Sequence, residues 1–120
     1  KILNHYMNLT AHDLYDEGNG KIAIGDIQGA ADCYQESVKL DKTFFDGWHA
    51  LGMALMKLGK TKEAIGAALM ATEISPNDLL AWTSLSQMYM KDGQIAEAES
   101  AKSNATIIGI GGKIKPDKID

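Results

Sequence analysis

Four groupings of residues could carry chemistry. His12 and Asp16 stand four apart, a spacing that puts both side chains on one helical face, where they could share a divalent ion. Two ligands leave most of a coordination shell empty, so the pair reads as a capping charge and an ordinary surface ion pair. Asp46 and His49, one helical turn apart, resemble an acid–base pair. No serine, cysteine or metal cluster is placed to use them, which leaves an orienting hydrogen bond as the expected role. Gly18-Asn19-Gly20-Lys21 and Gly109-Ile110-Gly111-Gly112-Lys113 have the glycine and lysine content of phosphate loops. Both fail the G-x4-G-K-[ST] spacing, because Ile22 and Ile114 fill the Ser/Thr place, and neither follows a strand-like run. Asn8-Leu9-Thr10 and Asn104-Ala105-Thr106 are glycosylation triplets, which matter only in a secreted protein. No catalysis, cofactor or metal is expected.

Charge narrows the partners. All 12 basic residues are lysine and 16 carboxylates outweigh them. Without arginine there is no bidentate fork for phosphate or carboxylate, so a nucleic acid partner is not expected. Cys33 is the single cysteine, which permits no internal disulfide and fits a reducing compartment. No apolar run approaches the roughly 18 residues of a membrane span, so direct membrane insertion is not expected and a cytoplasmic location is.

What positions these residues is a repeat. At an offset of 34, Trp48, Leu51, Met56, Lys57, Gly59, Glu63, Ala64, Ala67, Ala71, Thr72 and Ile74 recur as Trp82, Leu85, Met90, Lys91, Gly93, Glu97, Ala98, Ala101, Ala105, Thr106 and Ile108. The same offset backward takes Gly52, Gly59 and Ala64 to Gly18, Gly25 and Ala30, a third and more divergent copy. Self-similarity at this period marks supersecondary units that stack because none buries its apolar face alone. Within a copy, Trp48, Leu51, Gly52 and Leu55 share one helical face; Gly59-Lys60 interrupt, Thr61 is placed to cap, and Ala64, Ala68 and Ala71 mark a second helix that Pro76 ends. Thr10 with Asp13, and Thr43 with Asp46, have capping-box spacing. The pattern predicts helices over 11–24, 27–40, 44–58, 61–74, 78–91 and 94–108, arranged as repeats over 11–44, 45–78 and 79–110. A 1–10 extension precedes them, with Ile2, Leu3, Tyr6, Met7 and Leu9, and a 111–120 tail follows. The glycines at 109, 111 and 112 predict a non-helical tail, with Ile110 and Ile114 folded back on the last hairpin or buried in a partner.

These residues resemble the tetratricopeptide repeat family, whose signature is W-x2-L-G-x2-Y, then A-x3-F, A and P. Trp48, Leu51, Gly52, Leu55, Ala64, Ala68, Ala71 and Pro76 match it, as do Trp82, Leu85, Ser86, Tyr89, Ala98 and Ala105, while Leu14, Gly18, Ile22, Gly25, Ala30, Tyr34 and Ser37 form a looser first copy. The resemblance implies an all-α, right-handed superhelical stack of three helix-turn-helix hairpins. It also implies a protein–protein interaction module that holds a peptide or helix of another protein in a concave groove. The groove-facing set, at three-four-three spacing, is His12, Tyr15, Asn19 and Ile22, then Asp46, His49, Met53 and Met56, then Leu80, Thr83, Gln87 and Met90, with Lys57 and Lys91 stacked at its edge. The alternative is a structural subunit of a multi-subunit complex that touches its partners through its ends. The first copy is similar to the opening repeat of co-chaperones that grip acidic tails through a carboxylate clamp. The aligned positions hold Tyr15, Asn19, Ala50, Leu80 and Ser84, so Asn19 alone survives and the clamp is not retained.

Overall fold

The computed structural model describes residues 8–116. Residues 1–7 of the N-terminal extension, with Ile2, Leu3, Tyr6 and Met7, and residues 117–120 of the tail lie outside the described residues. Six helices follow in order: α1 Ala11–Ala23, α2 Ile27–Leu40, α3 Phe45–Lys57, α4 Thr61–Ile74, α5 Leu79–Lys91 and α6 Ile95–Gly109. Each agrees with its predicted span to within a residue at either end. The helices pair as α1–α2, α3–α4 and α5–α6, and the pairs stack through α2 on α3 and α4 on α5.

The same turn closes each hairpin. Gly25, Gly59 and Gly93, 34 residues apart, have φ of 82, 78 and 79°, the left-handed conformation that costs glycine least. In the first, the Gly25 N–H donates to the Ile22 carbonyl and the Asp26 N–H to that of Lys21, and both bonds recur at 59–60 and 93–94. This is the Schellman arrangement, which satisfies carbonyls that the helix end would leave open.

Helix starts are less uniform. Thr10 forms the predicted capping box with Asp13, each side chain bonding the other's backbone N–H. Asp26 and Asp78 cap α2 and α5. The expected Thr43–Asp46 box is absent: α3 begins at Phe45 with Phe44 at the cap position, and Thr43 spends its N–H and hydroxyl on Asp41, at 2.9 and 2.7 Å. Thr61 is likewise not a cap. The glycine turn ends at Lys60, which takes that position and leaves Thr61 as the first helical residue.

The core runs through the stack as small residues under large ones. Ala30, Ala64, Ala68, Ala71 and Ala98 are buried on the second helices, and Leu14, Leu51 and Leu85 on the first. Trp48 and Trp82 are half-buried and pack on this core with the indole edge outward. Each indole N–H donates to the loop before its helix, Trp48 to the Lys42 carbonyl at 2.8 Å and Trp82 to that of Pro76 at 2.7 Å. A tryptophan therefore fastens each later hairpin to the one before it. The tail leaves α6 at Gly111, φ 94°, and returns to the α4–α5 loop, where Asn77 accepts from the N–H groups of Ile114 and Lys115 and donates to the Lys115 carbonyl. Ile114 is half-buried by this return, whereas Ile110 is 82% exposed.

Candidate functional site: the inner face of the first helices

Successive first helices meet one another, α1 with α3 and α3 with α5, while α2, α4 and α6 stay apart. Helices that converge on one side and splay on the other bend the stack, so the inner side is built from α1, α3 and α5. Their 13-residue lengths are matched, and one face of each is left over once the leucine and tryptophan stripe has gone to the core.

That face is not uniform. At the α1 end it is a closed aromatic cluster. The Tyr15 ring meets Phe44 edge-on at 5.5 Å and lies 5.9 Å from Tyr34 and 6.0 Å from His12, which also lies 6.0 Å from Phe44. The Tyr34 hydroxyl donates to Asn19 Oδ1 at 2.6 Å. Burial, then the neighbouring Tyr15 and Cys33, raises the Tyr34 pKa above its ordinary value, so the phenol remains a donor. His12 pairs with Asp16 at 3.2 Å in an exposed i,i+4 contact. Ile22 is half-buried against the core.

Across α3 and α5 the face opens. His49 stacks on Phe45 at 5.9 Å and shares a hydrogen bond with Ser84 Oγ at 3.2 Å. The expected Asp46–His49 bond is not formed, because the ring turns toward the next hairpin; Asp46 is exposed. Met56 packs on the core and is half-buried, but Met53 is 38%, Met90 48% and Leu80 64% exposed. Thr83 turns its hydroxyl back to the Leu79 carbonyl. Gln87, Lys57 and Lys91 are exposed. Of the residues the sequence places on this face, His12, Tyr15, Asn19 and Ile22 are gathered around the first hairpin. Met53, Thr83, Gln87 and Met90 share the open part with Leu80. Phe44, Phe45 and the Ser84 hydroxyl escaped the sequence reading as face residues; paired aromatics just before a helical stripe were the available signal for the first two.

Among the described residues no group of three or more His, Cys, Asp or Glu side chains sits together to hold a metal ion. Among the described residues, too, no helix is long and apolar enough to cross a membrane. The geometry is that of a repeat protein built from helical hairpins.

A tetratricopeptide repeat model matches residues 33–66, from the second half of α2 through α3 to the start of α4. The chain is 34% identical over 58 residues to the Superkiller complex protein 3 of Mus musculus, a match over 48% of this chain and 4% of that protein. The matched stretch is thus a small part of its curated relative. Among solved structures, MamA superposes with a TM-score of 0.81 at 25% identity, over 84% of this chain and 59% of that one. The second repeat domain of Spaghetti (RPAP3), bound to the HSP90 peptide SRMEEVD, gives 0.78 at 21% identity over 82% and 92%. Residues 33–66 thus match a tetratricopeptide repeat, and the six helices among the described residues are consistent with three such hairpins.

Proposed function

We propose that this chain is a non-catalytic protein–protein interaction module that holds a peptide or helix of a partner along α1, α3 and α5. The observation that carries the reading is that Met53, Leu80 and Met90, spread along α3 and α5, are each left 38–64% exposed, with the Gln87 side chain exposed one turn before Met90. Thioethers and a leucine adapt to an apolar anchor, and a few polar groups at their border orient it. The open part of the face, over α3 and α5, is where the partner sits; the aromatic cluster at α1 is already satisfied within the chain.

The neighbour from Spaghetti (RPAP3) holds an acidic HSP90 peptide. The same ligand class is a poor fit here, because Tyr15, Ala50, Leu80 and Ser84 stand at the other clamp positions and the surviving Asn19 is taken by Tyr34. Each missing charge-assisted bond would supply about 1.5–3 kcal/mol. Lys57 and Lys91 remain as solvated groups at the border of the face.

The test is capture of the native partner by Leu80→Glu/Met90→Glu. Both side chains are exposed, so the fold should persist, while a buried carboxylate at the anchor should weaken capture at least tenfold. A folded double variant that captures the partner with unchanged affinity sinks the reading.

A further inference from the structure

A second surface lies away from the inner face, at the outer end of the first hairpin. A cavity of about 530 Å³ opens there between α1 and α2, with Leu14 and Cys33 at its floor, Leu40 on its wall and Lys21, Asp32 and Glu36 around its rim. Its counterpart exists in the third hairpin. At an offset of 68, Leu14, Lys21, Asp32, Cys33 and Glu36 correspond to Trp82, Tyr89, Ser100, Ala101 and Asn104, and these line a smaller cavity of about 290 Å³. There the preceding helix α4 lies against α5 and contributes Leu69 to the lining. In the stack, α3 is covered by α2 and α5 by α4; among the described residues α1 has no helix in that place. The structure thus shows twice that a helix covers this face, and in the third hairpin that helix sets an aliphatic side chain, Leu69, over the gap between the two helices beneath.

Charge states what kind of helix. Asp32 is met only by the neutral amide of Gln28, at 3.0 Å, and Glu36 only by Lys39 at 3.6 Å. Lys21, the cation on the rim, lies 3.9 Å from Asp26. The Cys33 thiol reports the balance: its pKa is raised first by burial and then by Glu17, with Asp32 and Asp26 adding and Lys21 alone opposing. Leu40 is 58% exposed beside these carboxylates.

We propose that the outer end of the first hairpin docks an amphipathic helix of a partner protein, which sets a leucine-sized side chain between α1 and α2 and lysine or arginine against Asp32 and Glu36. The site is separate from the inner face and can be occupied together with it. The helix meets α1 as α4 meets α5, burying Leu40 and filling the larger cavity that Leu14 and Lys21 leave where the third hairpin has Trp82 and Tyr89. Opposed charges at the rim set its choice of partner more than its affinity.

The experiment titrates the full 120-residue chain with a synthetic helical peptide carrying leucines at i, i+3, i+4 and i+7 and lysines beside them, and with the same peptide bearing glutamate for lysine. The lysine peptide should bind at least tenfold more tightly and shift the amide resonances of Asp32, Cys33, Glu36 and Leu40. Asp32→Lys/Glu36→Lys, whose melting is checked alongside, should reverse the preference, and the amide resonances of Met53, Gln87 and Met90 on the inner face should stay in place. Equal binding of the two peptides, binding of neither, a preference that survives the double reversal, or resonance shifts confined to the inner face would each overturn the proposal.

Discussion

The first hairpin and the two that follow solve the same packing problem with different chemistry. Where α3 and α5 carry Trp48 and Trp82, α1 carries Leu14, 2% exposed and with no polar edge. The tryptophans do two things at once: their rings cover the core, and their N–H groups hold the loop from the hairpin before. Leu14 does only the first. α1 is anchored at its start by the Thr10–Asp13 capping box and from the side by Ser37, whose buried hydroxyl donates to the Ala11 carbonyl at 2.6 Å. Repeat register fixes where a contact must be made, then, and leaves open which group makes it.

The crossing point of the two helices in each hairpin gives the same lesson. A Cβ on Gly18 would stand 2.5 Å from the Tyr34 ring, and one on Gly52 would stand 3.3 Å from the Met88 methyl and 3.4 Å from the Ala64 carbonyl. At the third equivalent position Ser86 occupies the space and donates to the Ala98 carbonyl at 2.8 Å. A close approach without a side chain and a hydrogen bond across the gap are interchangeable ways of keeping the axes near each other.

The largest effect should come from breaking the tryptophan contact. Trp48→Ala or Trp82→Ala should cost about 3 kcal/mol, the low end for this truncation because each ring is only half-buried. Trp48→Phe keeps the cover and drops the N–H, at about 1 kcal/mol. Urea unfolding of the three variants reads both numbers; equal losses for Trp48→Ala and Trp48→Phe would mean that the ring's packing contributes nothing.

Substituting alanine at the two glycine crossings should separate them. Gly18→Ala forces the buried Tyr34 ring aside and should lose about 1–3 kcal/mol, as overpacking does. Gly52→Ala meets chiefly the movable end of Met88, and alanine's roughly 1 kcal/mol advantage in a helix interior offsets the crowding. Thermal melts should therefore fall for the first and stay level for the second, and the opposite order would contradict the assigned contacts.

The helix starts supply a smaller contrast. Thr10→Ala removes a cap and should destabilise by about 1 kcal/mol. Thr43→Ala, whose hydroxyl serves only a loop, should cost less. The Asp13 pKa is lowered first by the Thr10 backbone N–H and then by its hydroxyl. A depressed carboxylate stabilises the fold above its unfolded pKa of about 3.9, and that contribution is lost as pH falls through the lower folded value. Denaturation followed below about pH 4 should thus show the parent losing its advantage over an Asp13→Asn variant, and a gap independent of pH there would argue against the Asp13 bond.

Smallest of all should be Cys33→Ala, because Ala67 and Ala101 already occupy the equivalent places. The thiol's pKa is raised, so its neutral form stabilises the fold below the unfolded pKa, about 8.5, and this is lost as pH rises through the folded value. At pH 7 the variant should melt with the parent, and above about pH 9 it should melt slightly higher. A variant that falls with alkali as steeply as the parent would assign the loss to another group.

The sequence by itself determined what is local. Helix periodicity, the glycine at each hairpin turn and the Thr10 box are carried by residues a few positions apart, the 34-residue register repeats such local signals, and all six helices fell where they put them. Tertiary structure decided what depends on residues far apart in the chain. His49 had Asp46 one turn away, yet it bonds Ser84, 35 residues on, because stacking on Phe45 directs the ring toward the next hairpin. Asn19 looked like a free groove amide until Tyr34, from the facing helix, claimed it. The glycines after α6 announced a turn, but only Asn77, 37 residues before Ile114, settles where the tail goes. A side chain with two partners in reach takes the one the packing brings into line, and in a stack of hairpins that partner stands on the facing helix or on the neighbouring unit.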